Sequence, residues 1–459
     1  MNHVFDAVVV GAGQAGPSLA VRLAKAGWKV AFVERHLFGG TCVNTGCTPT
    51  KAMVASAHAA HLARRGADFG FQTGPVTVDM RAVKARKDAI VLNSRTSVEK
   101  WVRGTENCTV FTGTGSFESP NSIRVGDDVL EAKNIFLNVG ARPTIPKKMT
   151  GVETVPFLTS TTILDLEELP KHLIVVGGGY VGLEFAQVFR RLGSEVTVVE
   201  THPRLAAHED EDSSAVLREI FDSEGIQVRV KATCIHMEMR EGQIAVGIDC
   251  DEGEPHVLGS HVLLAVGRTP NTDDLNLAAA GIMPDEHGFI PVNDQLQTIV
   301  PTIYAIGDCN GRGAFTHTSY NDFEIVAANL LDGEPRKVSD RIPVHALYTD
   351  PPLGRVGMTE AEVRKTGKPA LMGVRTMKRV SRAIEKSETF GFIKVLVDAE
   401  TQQILGAAVF GTGGDEAVHC IITAMNARQP ASLLTHSVHI HPTVAELIPT
   451  TLEDLKPLK

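Results

Sequence analysis

Two cysteines five positions apart, Cys42 and Cys47, stand in the stretch Gly39-Gly40-Thr41-Cys42-Val43-Asn44-Thr45-Gly46-Cys47-Thr48-Pro49-Thr50-Lys51. Paired thiols can carry two electrons by opening and closing a sulfur–sulfur bond. The reactive species is the thiolate, favoured near a helix N-terminus or a cation. The pair can close only with its Cα atoms about 4.4–6.8 Å apart. A glycine pair precedes these thiols and a helical run follows. Just upstream lies Gly11-Ala12-Gly13-Gln14-Ala15-Gly16, and Glu34 ends the strand that comes after it. Glycines at these spacings permit a tight turn, a close approach of backbone to a diphosphate, and helix–strand packing. Thiol chemistry therefore adjoins a dinucleotide site.

The elements that must hold these residues follow from the surrounding pattern. Residues 4–10 are a near-continuous apolar run, which suits a buried parallel strand. A helix is expected over Ser18–Ala26, closed by Gly27, and a second strand over Lys29–Val33 leads to Glu34. A diphosphate would rest on the helix N-terminus, where free N–H groups and the helix dipole favour negative charge. The acid can accept from both hydroxyls of a ribose. The pattern then repeats: a strand at 172–176, Gly177-Gly178-Gly179-Tyr180-Val181-Gly182, a helix over Leu183–Leu192, and a strand ending on Glu200. From first glycine to acid both copies span the same distance, Gly11 to Glu34 and Gly177 to Glu200. Two dinucleotides are expected, one per copy; the alternative is one working and one decayed copy.

A second echo marks where the chain changes domain. Asn134–Val139 with Gly140-Ala141-Arg142-Pro143 matches His261–Val266 with Gly267-Arg268-Thr269-Pro270. The expected division is a split first domain, 1–145 and 275–335, interrupted by a second at 146–274. Thr302–Asp308 would bring a strand ending in Gly307-Asp308 back to the first nucleotide, or Asp308 is only a turn residue. Residues 340–459 read as an α+β unit with an antiparallel sheet. The fold class is α/β: two Rossmann-like three-layer dinucleotide-binding domains plus a C-terminal α+β domain.

Bulk properties narrow the function classes. The 459 residues carry a net charge of −9, which is no footprint for nucleic acid. No apolar run reaches the ~18 residues of a membrane helix, and Met1–Asp6 lacks a basic leader, so cytoplasm is expected. Seven cysteines, an odd and scattered set, argue against a structural disulfide framework. Cys108, Cys234, Cys250, Cys309 and Cys420 have no assigned task.

Cys42-x4-Cys47-x3-Lys51, two glycine turns, a Gly-Asp strand and a C-terminal His441-Pro442-Thr443-x-x-Glu446 occur here in one order. In this the chain resembles the pyridine nucleotide–disulfide oxidoreductases (class I), most closely the mercuric reductase-like and dihydrolipoamide dehydrogenase branch. The resemblance covers essentially the whole chain. It implies FAD at the first turn and a nicotinamide nucleotide at the second, with cofactor positions Gly11, Gly13, Gly16, Glu34, Gly40, Thr41, Lys51, Gly115, Asp308 and Thr316, and Gly177, Gly179, Tyr180, Gly182, Glu200 and Gly267. It implies a redox-active Cys42–Cys47 disulfide, with Cys47 the charge-transfer thiol and Cys42 the interchange thiol. Lys51 would pair with Glu184 near the flavin, unless each is a solvated helix charge. Tyr180 would gate the nicotinamide pocket, or simply pack. His441, oriented by Glu446, would be the acid–base group, reaching the disulfide of the other subunit of a homodimer; the alternatives are a metal cluster of His436, His439 and His441, or no role.

Glu200 favours NAD over NADP, because a carboxylate repels a 2′-phosphate; His202 and Arg204 follow closely and keep NADP open. The expected activity is NAD(P)H-dependent reduction of a disulfide or a soft metal ion. Dihydrolipoamide dehydrogenase is the second reading, and a non-catalytic metal- or thiol-binding flavoprotein the third. Mercuric ion fits less well: the chain has no N-terminal metal-binding domain with its own cysteine pair, and Leu455–Lys459 lacks vicinal cysteines.

Overall fold

The computed structural model describes residues 1–249 and 255–458, so Cys250 lies outside the described residues. The chain folds into two compact units. The first is Met1–Ala52, Ala82–Thr144 and Gly267–Arg341; the second is Met53–Arg81, Ile145–Val266 and Ile342–Lys459.

In the first unit, strands β1 (Asn2–Val10) and β2 (Val30–Glu34) flank helix α1 (Gly16–Lys25) in sequence. Then come α2 (Gly40–Thr45), α3 (Cys47–Arg64), whose residues from Met53 on belong to the second unit, α4 (Met80–Arg103), which belongs to the first unit from Ala82, β3 (Cys108–Thr112), β4 (Gly115–Ser119), β5 (Ser122–Val125), β6 (Asp128–Leu137) and β7 (Ala141–Pro143). The sheet runs β3-β2-β1-β6 in parallel, with Ile303–Ala305 parallel on the far part of β6 and the β4–β5 hairpin on its near part. The continuous valine run of β1 is explained by burial on both faces. Val8 and Val10 join Ile135, Leu137 and Ile303 on one side. Ala7 and Val9 join Leu19 and Leu23 of α1 on the other. The helix starts two residues before the expected Ser18, because proline at position 17 is well tolerated in a first turn.

The second unit holds β8 (Leu158–Thr159), β9 (His172–Val176), α5 (Tyr180–Leu192), β10 (Glu195–Val199), α6 (Glu211–Ser223) and β11 (Gln227–Arg229). With His261–Leu264 these strands make a five-stranded parallel sheet whose inner strand is β9. A three-stranded antiparallel sheet (Thr233–Arg240, Gln243–Asp249, His256–Gly259) lies in the same unit. Here the helix begins at Tyr180 rather than Leu183, since Gly179 is extended and the turn tightens at once. Beyond Ile342 a six-stranded antiparallel sheet forms the C-terminal part. Its strands Leu353–Gly357 and Phe392–Asp398 bury Arg355 and Lys394 almost completely. Those cations meet Asp210 at 2.8 Å each, and Lys394 also meets Asp212 at 2.7 Å. In the first unit the ends of the two sequence echoes pair, β7 running antiparallel to Arg268–Pro270. Among the described residues, no helix is long and apolar enough to cross a membrane.

Candidate redox site and nucleotide cradles

Cys42 lies within α2, and Cys47 is the first residue of α3. The entry to α2 needs glycine twice. Gly39 and Gly40 have φ +92° and +58°, and a Cβ on Gly40 would lie 2.8 Å from Gly13 Cα. The thiol-bearing stretch thus presses backbone to backbone on the first glycine turn. Gln14 Nε2 donates to Gly39 O at 3.0 Å across the same contact. Asn44 clamps the short helix: its Nδ2 donates to Phe38 O and Gly40 O, and Arg95 Nε donates to its Oδ1.

Both cysteines are free thiols, partly buried, with their side chains in hydrogen-bond contact. The contact makes them unequal. The hydrogen bond from Cys42 pulls the Cys47 thiol down to about 6 against the cost of burial, helped by the Thr316 hydroxyl and the Lys51 charge. Thr316, the first residue of α7 (Thr316–Ala327), places Oγ1 3.1 Å from Cys47 Sγ. Cys42 is driven the other way, first by that shared hydrogen bond and then by burial. The shared hydrogen bond, the Thr316 hydroxyl and the helix N-terminus all favour the thiolate at Cys47.

In the first glycine turn a Cβ on Gly11 would lie 2.3 Å from Asn138 O, and one on Gly16 2.2 Å from Gly11 O. A Cβ on Gly13 would meet the Asn138 side chain. Glu34, buried, accepts the N–H groups of Ala12 and His36 at 2.7 Å each. Asn138 was not singled out from sequence, yet it joins two parts of the site. Its Oδ1 accepts Gly16 N–H at 2.9 Å, and its Nδ2 donates to Ile306 O at 2.9 Å, beside Gly307-Asp308. Burial raises the Asp308 carboxyl above its ordinary value, opposed by Arg268, whose Nε is 3.7 Å away. Arg268 also donates to Thr41 Oγ1 at 3.3 Å and to Ala141 O. Gly267, at φ +112°, makes the bend that aims it. Gly115 is packed differently: its missing Cβ would meet Val10 and Ile123 at 3.2 Å, so its size answers to the sheet.

The second turn repeats the sterics of the first. A Cβ on Gly177 would lie 2.4 Å from Ala265 O, and one on Gly182 2.0 Å from Gly177 O. A Cβ on Gly179 would meet nothing within 4 Å, so the protein itself does not demand glycine there. The open space lies at the α5 N-terminus, where a diphosphate would need it. Glu200 accepts Gly178 N–H at 2.5 Å and His202 N–H at 2.7 Å. Arg204 is turned away, donating to Ala207 O and Glu209 O at 3.0 Å and facing Glu211 at 3.2 Å. Tyr180 donates its hydroxyl to buried Glu209 and tilts its ring over His345 at 5.6 Å. His345 Nε2 reaches the same carboxylate at 2.8 Å. Glu184, buried on α5, accepts Tyr348 N–H at 3.0 Å; it belongs to the second unit, and Lys51 to the first.

His441 Nδ1 lies 3.0 Å from Glu446, with His441 exposed and Glu446 largely buried. His439 Nε2 instead contacts Leu434 O. Among the described residues, no group of three or more His, Cys, Asp or Glu is arranged to hold a metal ion.

Comparison with known proteins decides the family. The profile described as pyridine nucleotide-disulphide oxidoreductase matches residues 5–322, and the dimerisation domain of the same family matches 344–452. The chain belongs to the pyridine nucleotide-disulphide oxidoreductase family. The probable pyridine nucleotide-disulfide oxidoreductase RclA of Escherichia coli is 34% identical over 450 residues, 96% of this chain and 97% of the relative. A dihydrolipoyl dehydrogenase of Thermus scotoductus is 33% identical (96% and 95% covered), and a mercuric reductase of Streptomyces lividans 32% (97% and 94%). A solved structure described as the Cu(II) complex of the HOCl-induced flavoprotein disulfide reductase RclA matches with TM-score 0.89 at 32% identity, covering 98% of this chain and 99% of that one.

As a member of this family the protein is a flavoprotein oxidoreductase that uses FAD and NAD(P)H. The two turns fit those groups: each brings a helix N-terminus, glycines that no Cβ could replace, and a carboxylate at the end of the second strand. The dimerisation domain supports a homodimer.

Proposed function

We propose that the protein reduces a small disulfide with NADH, through Cys42 and Cys47, by the net reaction NADH + H⁺ + disulfide → NAD⁺ + two thiols. FAD, when bound, supplies the two-electron carrier between nicotinamide and sulfur. Gly11, Gly13, Gly16, Glu34 and Asp308 would hold it, with Gly40, Thr41 and Thr316 at the thiol side. Gly177, Gly179, Gly182 and Glu200 would hold the nicotinamide nucleotide. Arg204, committed to carbonyl oxygens, is a poor partner for a 2′-phosphate, which favours NADH.

The observation that carries the reading is the placement of the two thiols: Cys47 opens α3 with Thr316 Oγ1 3.1 Å from its Sγ, and the Cys42 thiol is in hydrogen-bond contact with it. Cys42, once deprotonated, attacks one sulfur of the substrate, forming a mixed disulfide and releasing the first thiol. Cys47 thiolate then attacks Cys42 Sγ, closing the intramolecular disulfide and releasing the second thiol. His441, oriented by Glu446, handles the proton, donating it to the departing thiolate. The exposed segment around it, with Val438 and Ile440 uncovered, suits its presentation to the other subunit of a homodimer. Scattered free thiols suit the reducing cytoplasm.

The His441–Glu446 pair favours a disulfide over a soft metal ion, because metal reduction has no thiolate leaving group to protonate. Dihydrolipoamide oxidation stays the second reading, given relatives of that name at similar identity. Steady-state rates with a panel of disulfides, lipoamide, and mercuric and cupric ions test the choice. His441→Ala should slow disulfide turnover by about 10²–10⁴ while flavin reduction by NADH proceeds as before. Equal disulfide turnover by this variant would remove His441 from the mechanism.

A further inference from the structure

Glu200 ends β10 with both carboxylate oxygens engaged. Gly178 N–H bonds Oε2, while the His202 N–H, the His202 imidazole and the Thr201 hydroxyl gather on Oε1. The imidazole Nδ1 is 2.7 Å from that oxygen, and the ring is more than half exposed. Glu200 is the charged group in contact with the ring. Arg204, on the same loop, faces Glu211. Arg229, whose carbonyl accepts Glu200 N–H, and Lys231, whose N–H donates to His202 O, stand on the adjoining strand and turn.

We propose that His202 is a specificity-determining residue that makes the choice between NADH and NADPH depend on pH. The inference rests on the reading that the second glycine turn holds the nicotinamide nucleotide. Glu200 would then face the 2′ position of the adenosine ribose, where its charge repels a phosphate. Burial acts to raise its carboxyl, yet the hydrogen bonds from His202, Gly178 and Thr201 outweigh that and hold it below the ordinary carboxylate range. It therefore stays ionised while histidine changes charge between about pH 5 and 8. With a neutral imidazole the pair presents one negative charge to the ribose; with imidazolium the pair is neutral. Arg204, Arg229 and Lys231 are common to the wild type and to any His202 variant, so a comparison of the two isolates the imidazole. Removing one charge a few ångström from a phosphate, partly screened by solvent, changes relative affinity about three- to tenfold.

Calorimetric titration of the FAD-loaded protein with NAD⁺ and with NADP⁺, from pH 5.5 to 8.5, reads the effect without turnover. The wild-type ratio Kd(NADP⁺)/Kd(NAD⁺) should rise from pH 5.5 to 8.5 by about three- to tenfold more than the ratio of His202→Gln. Titration of the nucleotide's own phosphate, near pH 6, is common to both proteins and cancels in the comparison. Equal pH dependence in the two proteins overturns the role of His202. Glu200→Gln separates the two readings: it should lower the ratio at every pH if the turn binds the nicotinamide nucleotide. If it leaves the ratio unchanged throughout, that binding site is misplaced and the assignment of His202 falls with it.

Discussion

The Cys42 thiol, the Thr316 hydroxyl and the Lys51 ammonium are among the groups that bear on the Cys47 sulfur. Each favours the charged form, and each enters from a different place in the sequence. Cys42 comes from the preceding short helix, Lys51 from the next turn of α3, and Thr316 from 269 positions away. Thr316→Val removes one donor and leaves the shape nearly unchanged. In the reduced protein, alkylation of Cys47 followed by peptide mass spectrometry should rise through an apparent pKa near 6 in the wild type. The same profile should move to higher pH in the variant, since a thiolate without that hydrogen bond is less favoured. An unshifted profile would mean that Cys42 and Lys51 suffice. Because the two sulfurs share a proton, the measured value describes the pair.

Among the elements, the glycine turns were legible and their fastenings were not. Glycine spacing reports the backbone directly: Gly11 and Gly177 adopt φ values, +105° and +115°, that side chains rarely accept, and both lie against carbonyl oxygens. Such a constraint is local and leaves a readable trace. Asn138 leaves none, being one asparagine at the end of an ordinary strand. It nonetheless ties the α1 turn to the strand bearing Asp308, and it is almost fully buried. Asn138→Ala strands Gly16 N–H and Ile306 O, and should cost about 1–3 kcal/mol in urea unfolding. FAD retention should fall as well. A loss below about 0.5 kcal/mol would show that the turn holds its shape without this link. Tyr180 is a similar case. Its place at the start of α5 was visible, but its hydroxyl is tied to Glu209, and Glu209 to His345 of a later strand.

At the scale of the whole molecule, buried charge is the main feature that patterning did not reveal. Lys394 and Arg355 alternate with apolar neighbours on strands that read as plain core, and only their partners Asp210 and Asp212 make their burial tolerable. A further network joins Asp350 to His58 of α3 at 2.6 Å and to Arg191 of α5. These groups set the acid response. Glu209, Asp210 and Asp350 titrate below their ordinary values, so the stability they give is present above the unfolded carboxylate range and lost as pH falls through the folded values. His61 acts earlier in an acid titration. Burial, reinforced by Arg191, lowers it to about 4 from 6.5. Between those values the unfolded chain binds a proton that the folded chain refuses, and stability falls with pH. His58 has the opposite sign: Asp350 raises it, so its contribution is full below the unfolded histidine value and is lost as pH rises through the folded one. In His61→Gln, unfolding free energy should decline less steeply from pH 6.5 to 5 than in the wild type. Parallel curves would show that other groups carry the slope.

The sequence alone determined the α/β class and the family through the order of motifs along the whole chain, and the two nucleotide turns through glycine spacing within short segments. Geometry of that kind is written into neighbouring residues, since only glycine tolerates the required φ and the close carbonyl contacts. Tertiary structure decided which groups surround the Cys47 sulfur, what anchors Tyr180 and Glu200, how Asn138 ties the first turn to the strand before Asp308, and where Arg204 points. Those outcomes depend on hydrogen bonds and charges brought together by folding, often from residues far apart in the chain.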